Sequence, residues 1–576
     1  MKLGAIIAVT CLGVLGASAA APKPLISESY LHTSGTKIVD GSGNALRLKG
    51  VNIGCWLYPE PWMWGTFYFG NYEAGAGETD VLSNFLSANL TPDQVATFWD
   101  TYRTNFVTDA DIAYMAAHGW NCVRVPMDFR LFVDPTTGNP VTSNFKYIDG
   151  LVGYCKNHGV HIILDMHNVP GSPYYYNSGN VFDSTSNQAI LNTAWLNVAT
   201  YYAGEPTIAG YDLINEPVAN GDPNFRPYLV SLTNLIRTVD PNHIIFVEGD
   251  WWASSLDVLG APWDSNMVFS DHNYGSTLPN NLPHDETLAT QYNIPLWMGE
   301  FGYNSNNWNV QQMNLLNQTN VINGEAIQAQ WSLWSWKANA IWTPATFNTY
   351  GPFQTVLNAL NSGGTLTSGQ IEAGFTDLAS AVAYNANNIN KSVVDSLTRL
   401  HWSVTTAPYA AQSIPGQVTA VRYDYGPEGL AYHNSISSNT SGMGSGFTAW
   451  NNGWLMRNDG VDITTYSESG EAQYAVGWNN AGEWEQYTVN VTPGTYDITF
   501  KYSGPGGSEI HLTVNNENVT GPIWMPKGPN NGDWNTYGTY TVHGVPITAS
   551  GMAALRVHCV EPGYNLAWMK FTPSVG

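Results

Sequence analysis

The run His161-Ile162-Ile163-Leu164-Asp165-Met166-His167 decides how this chain folds. It is short, apolar and rich in β-branched residues, and it closes on polar groups, which is the signature of a buried strand. A longer helix-like segment follows at 188–202, then a second apolar run at 209–215 that ends Leu213-Ile214-Asn215-Glu216-Pro217. Strand, helix, strand is a βαβ unit, and it implies a parallel sheet. The same alternation extends in both directions. Strands are expected at 46–53, 122–127, 161–167, 209–215, 243–248, 267–274, 296–301 and 330–336, with helices such as 109–118, 148–157, 188–202 and 227–239 between them. Eight units predict a closed parallel (β/α)8 barrel in an α/β chain. A doubly wound open sheet is the alternative, but no Gly-rich nucleotide loop supports it. Residues 339–400 read as mostly helical decoration that closes the barrel.

Composition narrows the class. The chain has 576 residues, 43% of them hydrophobic and 11% charged, enough for more than one core. Lys and Arg number 21 against 45 Asp and Glu, a formal net charge of −24. Such a surface repels phosphate backbones and anionic lipid, so no nucleic acid and no membrane is expected as a partner. The 23 Trp and 32 Tyr suit either a Trp-rich core or neutral, ring-shaped ligands. Met1-Lys2, the apolar run 5–16 and Ala17-Ser18-Ala19 read as a signal peptide over 1–19, so the protein is expected to be secreted, extracellular or periplasmic. Cys11 lies within that run. Cys55, Cys122, Cys155 and Cys559 lack metal-ligand spacing, and Cys55, Cys122 and Cys155, in or beside strand and helix candidates, are expected to be buried thiols rather than a disulfide framework.

Past Trp402 the pattern changes. Residues 403–416 read as a linker between a barrel domain at 25–402 and a module at 417–573. Alternating runs at 485–491, 495–502, 510–514 and 554–557, separated by Gly, Asn and Pro turns, predict an all-β, jelly-roll-like sandwich.

In a parallel barrel, chemistry collects at the carboxyl ends of the strands. Those ends carry Asn52 and then Glu60, Arg124, Asp165 with His167, Asn215 with Glu216, His272 with Tyr274, Glu300, and Trp334 with Trp336. Each alone has a bland reading: a solvated loop Glu, a satisfied core His, a structural Arg. Their recurrence at successive strand ends favours a site. Glu216 and Glu300 are expected on opposite sides of the mouth, where two carboxyls could flank a glycosidic bond. A spacing of about 5–5.5 Å gives retention of configuration, and about 6.5–9.5 Å gives inversion. Trp334 and Trp336 alternate on one strand and must face opposite ways, so one of them is packing.

These motifs resemble glycoside hydrolase family 5. Leu213-Ile214-Asn215-Glu216-Pro217 and Trp297-Met298-Gly299-Glu300-Phe301-Gly302 look like its acid/base and nucleophile motifs. The resemblance takes in Val123-Arg124-Val125-Pro126, Asp165-Met166-His167, His272-Asn273-Tyr274 and Trp334-Ser335-Trp336-Lys337, across roughly 30–345. It implies Glu216 as acid/base and Glu300 as nucleophile. Arg124, His167, Asn215, His272, Tyr274 and Trp334, preferred over Trp336, would complete the subsite. Lys49 to Leu57, Glu60-Pro61-Trp62 and the loop 167–179 are similar to the exo-β-1,3-glucanase branch, where the counterpart of Glu60 binds the terminal glucose. That branch usually has Gly at the position of Cys55.

Residues 414–571 resemble carbohydrate-binding module family 6, through Ile414-Pro415-Gly416, Val476-Gly477-Trp478, Gly482-Glu483-Trp484 and Tyr564-Asn565-Leu566-Ala567-Trp568. The resemblance implies a sugar held by Trp478, Trp534 and Asn565. Trp484 and Trp568 are expected in the core. The family's calcium-binding glutamates fall at Thr419 and Val421, which supply no carboxylate, so no metal and no cofactor is expected. The expected protein is a monomeric, secreted, retaining hydrolase of β-glucan, its partner a polysaccharide. Mannanase, xylanase and a non-catalytic glycan-binding protein are the alternatives.

Overall fold

The computed structural model describes residues 29–65, 78–171, 179–274, 278, 280–302, 306–322, 324–339, 343–347, 351–385, 388–398, 405–435, 456–457, 460–468 and 471–574. The expected signal peptide, Cys11, most of the loop after Gly171, Trp402 and the first residues of the expected linker lie outside the described residues.

Eight parallel strands close into a barrel. They are β1 (Lys49–Asn52), β2 (Cys122–Asp128), β3 (His161–Asn168), β4 (Ile208–Asp212), β5 (Ile244–Glu248), β6 (Met267–Asn273), β7 (Leu296–Phe301) and β8 (Gln330–Leu333). Each pairs with the next in sequence, and β8 returns to β1. Both faces of these strands are covered, which is why they read as continuous apolar runs rather than as alternation. Two of the strands are shorter than their apolar runs. β4 stops at Asp212 and β8 at Leu333, so Asn215, Glu216 and Trp334 sit just beyond the sheet, where backbone geometry is free to aim them.

The outer helices include α1 (Pro92–Phe106), α2 (Asp109–Ala117), α3 (Phe145–His158), α4 (Thr185–Tyr202) and α5 (Phe225–Arg237). Thr91 and Gln94 start α1 with reciprocal caps: Thr91 N–H donates to Gln94 Oε1 at 2.8 Å, and Gln94 N–H to Thr91 Oγ1 at 3.3 Å. The stretch expected to be mostly helical holds Pro352–Ser362, Ser368–Ala381 and Lys391–Thr398, but also a short strand, Ala345–Thr346, parallel to Lys337–Ala338.

Behind β8, Lys337 is buried with its ammonium 2.8 Å from Asp111 Oδ1, and it also donates to the carbonyls of Phe106 and Val382. Trp336 Nε1 donates to the same Asp111 oxygen at 2.8 Å, so Trp336 is the packing member of the tryptophan pair. The other Asp111 oxygen accepts from Thr108 at the start of α2.

The C-terminal region forms two sheets. One runs Ser413–Ile414, Trp484–Val491, Gly551–Glu561, Ser508–Val514, Glu517–Asn518. The other runs Ile463–Glu468, Glu471–Val476, Asn565–Pro573, Gly494–Ser503, Gly538–Ile547. A single apolar cluster, with Tyr487, Val489, Leu512 and Leu555 from one sheet and Ile498, Phe500, Met569 and Phe571 from the other, makes this a sandwich with its own core. Its edge begins earlier than expected. Ala407 bridges Tyr425, and Ser413–Ile414 pairs with Trp484–Val491, so 407–416 are tied to the sandwich by backbone hydrogen bonds rather than serving as free linker. The four cysteines among the described residues are buried and in no disulfide, as expected for Cys55, Cys122 and Cys155.

The Asp111–Lys337 pair yields a test. Removing one member of a buried ion pair leaves the other uncompensated, at a cost of about 3–5 kcal/mol. Lys337→Ala is therefore expected to lower the barrel's unfolding midpoint in urea and leave the module's transition in place. A loss under about 1 kcal/mol would mean that Asp111 is neutralised some other way.

Candidate active site

The barrel mouth is organised around Arg124 of β2, which is fully buried. Its Nε donates to Asp212 Oδ2 at 2.9 Å. One terminal nitrogen donates to Asn52 Oδ1 at 3.0 Å and Glu300 Oε1 at 2.7 Å. The other donates to Asn215 Oδ1 at 2.8 Å and Glu248 Oε1 at 2.9 Å, and lies 3.1 Å from Asp165 Oδ2. Oxygens of Asp165, Asp212 and Glu248 come within 4.8 Å of one another, and the guanidinium supplies the positive charge among them. A planar, five-donor group that never loses its proton suits this role.

His272 of β6 joins the two expected catalytic glutamates. Its Nδ1 is 2.9 Å from Glu216 Oε1 and 3.7 Å from Glu300 Oε2, and its Nε2 is 3.1 Å from Glu248 Oε1. Glu216, His272 and Glu300 each place one polar atom within 4.8 Å of the other two. Tyr274, just past β6, donates its hydroxyl to Glu300 Oε2 at 2.6 Å. Gly299 makes room for this packing: a Cβ there would lie 2.8 Å from Ser270 Oγ and 2.9 Å from His272 Nε2.

The opposite rim is built on His167 of β3. Its Nδ1 meets Asp165 Oδ2 at 2.7 Å, its Nε2 is 3.4 Å from Glu60 Oε1, and Asn215 Nδ2 is 3.3 Å from the same nitrogen. Trp334 stacks on its ring, with centroids 5.3 Å apart and planes 13° apart. Glu60, Arg124, His167, Asn215, Glu216, His272, Tyr274, Glu300 and Trp334 thus fall in one connected network.

The two glutamates sit in different fields. Burial pushes Glu216 above the ordinary carboxyl range, against its hydrogen bond from His272, and the nearby charge of Glu300 adds to the rise. Burial also works against ionised Glu300, but His272, Arg124 and His167 outweigh it and hold that carboxyl low. Burial raises Glu60 despite His167. Both histidines are buried yet held as imidazolium. Glu248 and Glu300 raise His272 well above its usual value, and Asp165 brings His167 to about 10. Glu216 itself has a φ of 43°, an uncommon conformation for a residue with a side chain.

Two members of this site, Asp212 under Arg124 and Glu248, are missing from the expectations drawn from sequence. Glu248, the last residue of β5, is fully buried and accepts the Glu216 backbone N–H at 2.5 Å. Burial disfavours its charge, yet His272 and Arg124 hold it down to about 2. Its one sequence signal was a carboxylate closing an apolar strand, at the same end as Glu300.

In the sandwich the three expected binding residues also converge. Trp478 and Trp534 are 38% and 47% exposed. Asn565 is buried and lies near both: its Nδ2 is 3.3 Å from the Trp534 carbonyl, and its Oδ1 is 2.5 Å from where a Cβ on Gly477, the neighbour of Trp478, would sit. Ser503 Oγ donates to the same Trp534 carbonyl at 2.7 Å. Trp484 and Trp568, expected in the core, are instead half-buried. Trp484 lies 4.0 Å under the Arg556 guanidinium, and Trp568 packs against Tyr466, Ala475 and Ala567 on the outer face.

Comparison with known proteins fits both halves. Residues 85–340 match the model for cellulase (glycosyl hydrolase family 5), and residues 455–573 match that for carbohydrate binding module (family 6). A β-xylosidase of Phanerodontia chrysosporium is 30% identical over 260 residues, 43% of this chain and 52% of its own length. A probable glucan 1,3-β-glucosidase A of Neosartorya fischeri is 24% identical over 241 residues, 39% of this chain and 55% of its own. The chain spans about half the length of these curated relatives. The β-glucanase SdGluc5_26A from Saccharophagus degradans aligns at 15% identity and a TM-score of 0.37 over 62% of this chain and 95% of that one. The barrel therefore matches glycoside hydrolase family 5, and the sandwich behind it matches a family 6 carbohydrate-binding module.

Proposed function

We propose that this protein is a secreted, retaining glycoside hydrolase that cleaves β-linked glucose polysaccharide, with Glu216 as acid/base and Glu300 as nucleophile. One observation carries the reading: an oxygen of each of the two carboxyls lies within 4.8 Å of the other. That spacing suits double displacement rather than single displacement. In the first step Glu216 gives its proton to the glycosidic oxygen as the C–O bond breaks, and a Glu300 oxygen bonds to the anomeric carbon. In the second, water adds to that carbon, its proton passes to Glu216, and Glu300 departs as carboxylate. The charge of Glu300 helps keep Glu216 protonated, so esterifying Glu300 removes that push and turns the acid into a base. Asn215, held by Arg124, is placed to meet the sugar 2-hydroxyl, a contact that strengthens in the transition state.

A glucose substrate is supported by the relatives described as glucan 1,3-β-glucosidases and by Glu60 at the rim. A β-xyloside is the second reading, because the relative at 30% identity is described as a β-xylosidase. The product profile on laminarin, cellulose, mannan and xylan decides between them. Export agrees with a substrate too large to enter cells, and among the described residues no helix is long and apolar enough to cross a membrane. The module is proposed to hold polysaccharide near the mouth, and the protein is proposed to act as a monomer.

Glu300→Gln is expected to abolish turnover and leave the fold intact, since an amide of nearly equal volume cannot attack the anomeric carbon. Activity above a tenth of wild type on the best substrate would refute the nucleophile role. Glu216→Ala is expected to slow poor leaving groups far more than acidic phenols, which need less protonation, and azide is expected to restore the second step. Equal losses on both would remove Glu216 from the acid role.

The pH profile of kcat/KM follows from the two fields. Glu300 must be ionised, so the acid limb lies below the ordinary glutamate value of 4.5; Glu216 must be protonated, so the alkaline limb lies above it. An acid limb above 4.5 would contradict the assignment.

Trp478→Ala or Trp534→Ala is expected to weaken binding to insoluble polysaccharide by about 1–3 kcal/mol, the worth of one large buried side chain. Turnover of short soluble substrates is expected to hold, since tethering helps only when the polymer reaches both sites. Affinity electrophoresis with a thermal melt checks this. Unchanged binding in a folded variant would place the sugar elsewhere.

A further inference from the structure

Glu216 leaves the barrel in a conformation that its own chain does not favour. β4 ends at Asp212, and beyond it Glu216 has a φ of 43°, in the left-handed region that residues with side chains seldom visit. Such a residue keeps that conformation only where the surroundings over-determine it. Here the Glu248 carboxylate does so. Glu248 closes β5, its side chain has no exposed surface, and its Oε2 accepts the Glu216 N–H at 2.5 Å. The other oxygen, Oε1, accepts from Arg124 at 2.9 Å and lies 3.1 Å from His272 Nε2. His272 in turn places its Nδ1 2.9 Å from Glu216 Oε1. Glu248 thus reaches Glu216 at both ends, the main chain directly and the carboxyl through one imidazole.

Charge balance alone does not explain this carboxylate. Asp165, Asp212 and Glu300 also meet the Arg124 guanidinium, yet the Glu216 N–H is given to Glu248 and not to any of them. Nor does the rest of the loop depend on it. Asp250 accepts the N–H groups of Ala219 at 2.7 Å and Gly221 at 3.3 Å, and Trp252 N–H donates to the Pro217 carbonyl at 3.3 Å. Past Glu216 the segment is fastened by these contacts, so what Glu248 adds is the setting of Glu216 itself. Being fully buried, Glu248 cannot touch a sugar.

We propose that Glu248 is the positioning residue of the acid: one oxygen pins the main chain of Glu216, the other holds His272 against the Glu216 carboxyl, and together they aim the Glu216 proton at the glycosidic oxygen. The proposal rests on the acid/base reading of Glu216 and extends it to what places that acid. A carboxylate suits the position because Arg124, His272 and the Glu216 amide all present N–H groups, and an ionised carboxylate only accepts. A glutamine offers a single oxygen, which can serve the amide or the Arg124–His272 side but not both, and its NH2 group then faces a donor. Misplacing the acid is felt where proton donation matters. Glycosides with poor leaving groups need a proton on the departing oxygen, and those of acidic phenols need it much less.

The test measures kcat/KM of Glu248→Gln on a series of aryl β-glucosides, or β-xylosides where those turn over faster, running from dinitrophenyl to unsubstituted phenyl leaving groups. The rate on the phenyl glycoside is expected to fall about tenfold or more beyond the fall on the dinitrophenyl glycoside. In a Glu216→Ala background the same substitution is expected to change the phenyl glycoside rate by no more than about twofold, because the group that Glu248 places is gone. Glu248→Asp keeps the charge beside Arg124 but is one methylene too short to span the amide and His272 together. The same selective loss is expected of it, and it decides the matter if a thermal melt shows that Glu248→Gln does not fold. An equal fall across the series, a full further loss in the Glu216→Ala background, or failure of both variants to fold would overturn the positioning role and leave Glu248 as a support of Arg124 or of the barrel. If Glu216→Ala itself slows all leaving groups equally, the acid reading of Glu216 falls, and this proposal with it.

Discussion

Arg124 is the constraint on which the catalytic mouth depends. A guanidinium with no exposed surface is tolerable only when its charge and its donors are met, and here carboxylates from β3, β4, β5 and β7 and amides from β1 and the end of β4 meet them. The price of that burial is a fixed geometry. Because one terminal nitrogen binds Asn52 and Glu300 while the other binds Asn215 and Glu248, the strands that bear the two proposed catalytic groups are locked in register across the barrel. Together with His272, the same charge holds the Glu300 carboxyl low against the burial that would raise it. Glu216 lies one residue beyond this network, anchored by its backbone to Glu248 and not by its side chain to Arg124. The two close glutamates are shifted in opposite directions: burial lifts Glu216 above the ordinary carboxyl range, whereas His272, Arg124 and His167 overcome burial at Glu300 and hold it below.

The barrel was legible in the sequence because buried parallel strands leave uninterrupted apolar runs, and because eight such runs alternate with amphipathic segments. The site was legible because polar residues repeat at one end of those runs. Glu248 escaped for a physical reason: as a single carboxylate it has the ordinary appearance of a loop residue, and only barrel closure brings it under Arg124, His272 and the Glu216 amide. The choice between Trp334 and Trp336 needed the partner at Asp111, 225 residues away in sequence. Strand ends were read too long at β4 and β8 because apolar character continues into the turn that aims Asn215, Glu216 and Trp334.

The module tells a similar story with a different outcome. Trp478, Trp534 and Asn565 lie far apart in sequence and meet because the Asn565 amide reaches both the Gly477 backbone and the Trp534 carbonyl. Trp484 and Trp568 looked like core because they sit in alternating strands, yet alternation alone leaves open which face is inside. Both rings point to the outer sides of their sheets, where an arginine and a small aromatic cluster cover them. The expected linker was misjudged by the same local reading: Pro and Gly mark turns, and at 407–416 those turns belong to the edge of a sheet.

The central claim is that Glu216 and Glu300, set apart as acid and nucleophile by burial, His272 and Arg124, act by double displacement. The most direct measurement is a proton NMR time course of the anomeric signals during hydrolysis of a β-linked oligosaccharide, read before mutarotation. The account predicts that the β-anomer of the new reducing end appears first and the α-anomer grows in later. First appearance of the α-anomer would contradict it.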